Sequence, residues 1–364
     1  MAHGSGLHAE GTPTLFERSA QYGWLGVDLF FVLSGFLITG VLLKARQDRK
    51  YYQNFYARRA LRIFPVYYLA VVGALVIVPA LHLGQGRASQ GGYPWTVQIW
   101  FWLNLSNLLT AFHPLIVMPL THFWSLAIEE QFYLVWPGCL RTFTTRGLIW
   151  LTAGLLIAGE VARNLPIVDR TAAQYPDFIY RLTPLHMDGL LCGALLALLL
   201  SNRNGAKPKN WTAAYMCLGG SILTSVLILA WLAKAAVWSL FIQRWAYLAA
   251  GLFFSSVVGL ILDGGPSFWL SRLFSLRALR WVGALSYCLY VIHLTGLHLG
   301  EIVARHVPGL GAAGQVRATP PLALFICLVI SICSRIFVES PALRLKRYFR
   351  YNASVGRQDS LAVQ

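Results

Sequence analysis

The sequence predicts an all-α polytopic membrane protein, on three observations. Long apolar runs recur from one end of the chain to the other. Of 364 residues, 57% are hydrophobic and only 12% are charged, with a mean hydropathy of +0.56, whereas a soluble domain carries about 25% charged residues. The basic residues, finally, gather in a few loops between the runs. A length that would suit two or three soluble domains therefore reads as one membrane domain. The net charge of +16 then belongs to loop arginines facing an anionic leaflet, and not to a nucleic-acid surface.

A hydrocarbon core of about 30 Å needs about 20 apolar residues per helix. Nine stretches qualify: 24–44, 60–82, 121–140, 147–163, 184–201, 211–233, 238–262, 280–300 and 319–339. A tenth, 95–112, is apolar but carries Asn104, Ser106 and Asn107 beside Trp95, Trp100 and Trp102. Five loops are rich in Lys and Arg: 44–62, 141–146, 203–209, 272–280 and the tail from Arg344. All five fall on one side only if 95–112 does not cross, and 20 of the 30 basic residues then lie inside. The prediction is nine crossings, a re-entrant or interfacial segment at 95–112, and a cytoplasmic C-terminus. The units are an outer N-terminal stretch 1–23, the membrane domain 24–341 and a basic tail 342–364. Residues 1–23 hold His3, His8, Glu10, Glu17 and Arg18 with no apolar centre, so no signal peptide is read there. No repeat of solenoid period is visible. The six cysteines sit in or beside apolar runs without C-x-x-C spacing, which reads as buried thiols rather than metal ligands.

Charged and polar groups inside such spans are costly, on the order of 2.5–3.5 kcal/mol for a carboxylate on insertion scales, and by default mark a site. The sharpest case is HFWSLAIEEQFYLVWP (residues 122–137), which places Glu129 and Glu130 in an otherwise apolar helix headed by His122. Asp28 opens the first span in GVDLFFVLSGFLITG (residues 26–40), with Ser34 two turns deeper. For Ser34, a bond to its own i−4 carbonyl is the plainer role, and Gly35 and Gly40 suggest close helix packing. ARRALRIFPVYYL (residues 57–69) brings Arg58, Arg59 and Arg62 to the inner mouth of a helix that Pro65 would kink. They read either as a positive-inside anchor or as ligands for a phosphate-bearing molecule.

RLTPLHMDGLLCGALLAL (residues 181–198) sets Arg181 and Asp188 on one face if its helix begins early, as a pair closing the outer end. Pro184 argues instead for Arg181 in a loop, and His186 reads as incidental at the interface. LSYCLYVIHL (residues 285–294) aligns Ser286, Tyr290 and His293 at i, i+4 and i+7 on one stripe. There the Tyr290 hydroxyl would satisfy His293, or the three together would line a site.

These five strings, taken in their order along the chain, resemble the acyltransferase 3 family of bacterial membrane proteins, over about residues 23–341. The resemblance implies a ten-helix bundle in the bacterial inner membrane. Its activity would move an acyl group, often acetyl, from cytoplasmic acyl-CoA to a hydroxyl of a surface glycan or glycolipid. No bound cofactor or metal is implied. Family members begin with an apolar helix bearing a basic residue and, eleven positions on, a catalytic histidine. Met1-Ala2-His3-Gly4 reads like the end of such a helix, so His3 matches that histidine and His8 is a second candidate. Either a first helix precedes residue 1, or the chain is a truncated and inactive paralogue.

On this resemblance His3 is base or acyl carrier, oriented by Glu129 first and Glu130 second. Arg58, Arg59 and Arg62 hold the CoA phosphates. Asp28, Ser34, His122, Arg181, Asp188, Tyr290 and His293 line the passage between the faces. The competing class is a proton-coupled transporter, which also uses intramembrane carboxylates and histidines.

Overall fold

A computed structural model of the chain describes residues 23–81, 92–114, 116–201, 219–225, 240–309 and 311–351. The described residues are helical, with no strand among them. His3 and His8 lie outside them, as does most of the expected 211–233 span.

Among the described residues six helices are long and apolar enough to cross a membrane: Trp24–Lys44, Tyr51–Ala80, Thr145–Arg163, Leu240–Gly264, Arg277–Arg305 and Gly314–Tyr348. Each coincides with an expected span. The chain-order labels used below are α1 (Trp24–Lys44), α2 (Tyr51–Val72, continued through a π turn to Ala80), α3 (Trp95–Trp102) and α4 (Ser106–Phe112). They continue with α5 (Trp124–Thr142), α6 (Thr145–Arg163), α7 (Pro166–Gln174), α8 (Phe178–Arg181), α9 (Asp188–Ser201) and α10 (Leu240–Gly264). The last are α11 (Trp269–Phe274), α12 (Arg277–Arg305) and α13 (Ala312–Ser334), the latter running through a π turn at Arg335–Glu339 into α14 (Ser340–Arg344).

Two expected spans differ, and the 95–112 stretch, expected not to cross, takes a definite form. α5 has 19 residues, long enough to cross, but it carries Glu129, Glu130 and Arg141. α9 has 14 residues, beginning at Asp188 and not at 184. Pro184 disfavours helical backbone at Thr183, and residues Thr183–Leu185 form a 3-10 turn ahead of the helix. The 95–112 stretch is two short helices, of eight and seven residues. They are separated at Asn104, whose φ of 56° is a left-handed conformation that asparagine tolerates better than most residues.

α1 and α9 pack backbone against backbone. A methyl group built on Gly35 would lie 2.0 Å from the Leu190 carbonyl oxygen, and one on Gly193 2.0 Å from that of Val32. Gly40, expected to share this role, has open space around its Cα. Large apolar side chains such as Leu134, Val135, Trp150 and Ile157 face outward, the surface that a lipid-embedded bundle requires.

Hydrogen bonds tie the basic loops together at one end. Arg46 donates to the Phe143 carbonyl (2.5 Å), Arg141 donates to the Asp48 carbonyl (3.3 Å), and Asn54 donates to the Arg350 carbonyl (3.0 Å). At the other end Asn107 donates to the Arg181 carbonyl (3.2 Å) and to Thr183 (3.0 Å), joining α4 to the segment before α9. The first is the arginine end below, the second the histidine end.

Candidate active site

α5 carries a buried polar file. Ser125, Glu129 and Tyr133 recur at i, i+4 and i+8, so they stack on one face over about 12 Å; they are 0%, 3% and 2% exposed. Each meets a partner from another helix. Ser125 hydrogen-bonds the Tyr290 hydroxyl from α12. Glu129 accepts from the Ser34 hydroxyl of α1 and from the Tyr133 hydroxyl one turn along its own helix. The Arg59 guanidinium of α2 lies over the Tyr133 ring, 5.0 Å from its centroid, and Arg59 and Arg62 are both within Coulombic reach of Glu129. Ser34 therefore serves the carboxylate rather than its own i−4 carbonyl, because the acceptor offered across the α1–α5 contact is charged.

Two imidazoles close the file at the histidine end. The His122 and His293 rings are 4.4 Å apart between centroids, and Tyr290 lies 5.3 Å from His122. The Tyr290 hydroxyl donates to the His122 carbonyl at 2.9 Å, while His122 Nε2 faces the Val291 carbonyl at 3.0 Å. His293 Nδ1 bonds the Tyr290 carbonyl at 2.7 Å and not its hydroxyl, since that hydroxyl is engaged with Ser125. Ser286 does not join them. It is exposed and donates to the Gly283 carbonyl of its own helix.

Asp28 stands beside this end in a second cluster. His186 Nε2 meets Asp28 Oδ1 at 3.1 Å and Nδ1 meets the Tyr180 carbonyl at 2.6 Å, with both side chains fully buried. Tyr247 and Trp124 stack on the imidazole at 3.9 and 5.5 Å, and Phe31 and Tyr180 close its edges. His186 is thus a core histidine with a carboxylate partner, not an incidental interfacial one. The separation of 158 positions between Asp28 and His186 left no local spacing to read.

The expected Arg181–Asp188 pair is corrected. Asp188 is held in bidentate fashion by Arg163 of α6, Nη1–Oδ2 at 2.7 Å and Nη2–Oδ1 at 2.9 Å. Arg163 also donates to the Leu185 carbonyl (2.6 Å) and to Glu160 (2.8 Å). Arg181, in the separate helix α8, pairs with Asp177 at 2.9 Å. The break at Pro184 takes Arg181 off the face of α9, and Asp177, four residues earlier, takes it instead.

Glu130 points differently from Glu129. It is half-buried, and its Oε1 is buried without a hydrogen-bond partner. The next residue, Gln131, bonds Asn107 at 2.8 Å and Thr183 at 2.5 Å, which extends the polar surface of α5 toward α4. Sequence reading missed Gln131, Asn107, Thr183 and Tyr133. The S-x-x-x-E-x-x-x-Y spacing of the file was the signal that could have found Tyr133.

A family profile described as an acyltransferase domain, that of the acyltransferase 3 family, matches residues 1–338. The chain belongs to this family. Among acyltransferase 3 relatives it is 31% identical to the peptidoglycan O-acetyltransferase OatA of Listeria monocytogenes over 291 residues, covering 75% of this chain and 45% of that protein. It is 32% identical over 351 residues to YrhL of Bacillus subtilis, to which the same activity is provisionally ascribed, covering 88% and 51%. A Staphylococcus aureus protein provisionally named an O-acetyltransferase is 28% identical over 337 residues, covering 88% and 52%. The chain spans about half the length of these curated relatives. No solved structure matches.

Proposed function

We propose that the protein is a membrane-bound O-acyltransferase that moves an acyl group, acetyl first among candidates, from cytoplasmic acyl-CoA to a hydroxyl of a cell-surface glycan or glycolipid. The observation that carries this reading is the polar file of α5. It connects cations at one end of the bundle with imidazoles near the other, through a span that is otherwise apolar. Acyl transfer across a membrane needs such a connection: an anion-binding mouth for the donor phosphates and a basic group beside the acceptor.

In this reading the arginine end faces the cytoplasm, where Arg58, Arg59 and Arg62 hold the donor. The thioester carbonyl is attacked by the acceptor hydroxyl oxygen. An imidazole takes the hydroxyl proton, the C–S bond breaks, and CoA leaves as thiolate to be protonated. Alternatively the imidazole carries the acyl group between the two partners. His3 holds the base or carrier role, as the family resemblance implies, with Glu129 first and Glu130 second as its acidic support. His122, His293 and Tyr290 supply proton acceptors and donors where the acceptor enters, with Ser34, Asp28, Arg181 and Asp188 shaping the wall. The names of the relatives make peptidoglycan the first acceptor to test.

The test supplies radiolabelled acetyl-CoA to the purified full chain in detergent. Label transferred to the protein or to added glycan, with stoichiometric CoA release, is the expected result. Substrate flux in vesicles with no CoA release would instead identify a carrier.

A further inference from the structure

The chain folds back on itself after its last span. The Asn54 side chain, 2% exposed, donates to the Arg350 carbonyl at 3.0 Å. Arg58 donates to the Phe349 carbonyl at 3.2 Å, and its guanidinium lies 5.8 Å from the Tyr351 ring centroid. These contacts pin residues 349–351 against the start of α2. The 3-10 turn Leu345–Tyr348 just before them is thereby held beside the arginine cluster.

Within that turn one cation behaves unlike its neighbours. Arg344, Arg347 and Arg350 are exposed, as cations of a positive-inside anchor should be. Lys346 is half-buried and lies within Coulombic reach of Arg58, Arg59, Arg62 and Arg335. The carboxylates facing this group are Glu339, 3.5 Å from Arg335 and within reach of Arg62, and the deeper Glu129 and Glu130, both within reach of Arg59. Five cations thus converge on three acids, one of which, Glu129, belongs to the α5 file. Like charges raise one another's free energy, the more so as water is withdrawn. A turn that directs its one lysine into such a group, while three arginines beside it stay in solvent, is arranged for a multivalent anion.

We propose that Lys346 is a further ligand of the donor site, a point charge delivered by the folded-back tail that joins Arg58, Arg59 and Arg62 around the phosphates of CoA. This rests on the acyl-CoA reading above. The ligand chemistry is a cluster of phosphate oxygens, which an anionic lipid headgroup could also offer; the half-burial of Lys346 within Coulombic reach of Arg59, whose guanidinium lies over the Tyr133 ring of the α5 file, favours the donor. Lysine suits the role because its ammonium takes phosphate oxygens without the fixed fork of a guanidinium.

The test is titration calorimetry of CoA into the full chain in non-ionic detergent. Lys346→Met keeps the aliphatic stem and removes the charge, and is expected to weaken CoA binding about tenfold or more, the loss for one charge-assisted contact. Lys346→Arg is expected to restore most of it. Asn54→Ala, which removes no charge, is expected to weaken binding severalfold by releasing the tail. Arg272→Met, an exposed cation on another loop, is the charge-loss control and stays within about twofold of wild type. If wild type binds CoA and Lys346→Met binds it equally well, the inference is overturned and the acyl-CoA reading stands. If wild type binds no CoA, both fall. Loss of co-purified phosphatidylglycerol in Lys346→Met, with CoA affinity unchanged, would assign the lysine to lipid and also overturn the proposal. A Lys346→Met protein that elutes aggregated is replaced by Lys346→Gln under the same criteria.

Discussion

The Arg163–Asp188 pair sets a stability prediction whose size follows from its geometry. Both partners are buried, at 0% and 4% exposure of the side chain, and two parallel contacts of 2.7 and 2.9 Å join them. Asp188→Ala removes both contacts and leaves the guanidinium with Glu160 and the Leu185 carbonyl. Breaking a buried pair from one side costs about 3–5 kcal/mol, because the remaining charge loses its compensation. At roughly 2–4 °C per kcal/mol in larger domains, the apparent melting temperature should fall by about 10 °C. The measurement is a thermal melt in detergent followed by fluorescence or by loss of the monodisperse elution peak. The double variant Arg163→Met/Asp188→Leu removes both charges and should recover at least half of the loss, since apolar groups of similar volume can replace a buried pair. Arg181→Met, whose partner is Asp177, should add independently to Asp188→Ala. An Asp188→Ala protein melting within about 2 °C of wild type, or a double variant less stable than the single one, would refute the reasoning.

Other perturbations test other parts of the structure. Gly35→Ala places a methyl 2.0 Å from the Leu190 carbonyl oxygen; it should force α1 and α9 apart and lower the melting temperature sharply, whereas Gly40→Ala, in open space, should leave it unchanged. Tyr133→Phe removes one of two hydroxyl donors to Glu129. A bond to a charged group is worth about 1.5–3 kcal/mol, so acetyl transfer should slow by about 10- to 100-fold with the fold intact by circular dichroism. His3→Ala should cost about 10²–10⁴-fold in rate, the scale of general base catalysis; a loss below about tenfold rejects that role. His122→Ala, measured alongside, should reduce the rate while leaving CoA affinity within about twofold, because His122 lies at the end of the file away from Arg59.

The architecture was legible because lipid imposes a simple rule: apolar runs of about 20 residues become helices. Runs 24–44 and 147–163 begin and end within three residues of their helices. The motifs were legible too, since a carboxylate such as Glu129 or an arginine such as Arg59 stands out against an apolar background. Composition could not supply partners. Asp28 finds His186 across 158 residues, and Asp188 takes Arg163 from α6 rather than Arg181, only seven positions away in the chain. Pairing inside a bundle is decided by which helix faces meet, and here the glycines at 35 and 193 bring α1 and α9 together while Pro184 turns Arg181 aside. The sequence by itself determined that polar groups lie within the membrane; only the packing of helices decided which of them touch, because their partners come from elements far apart along the chain.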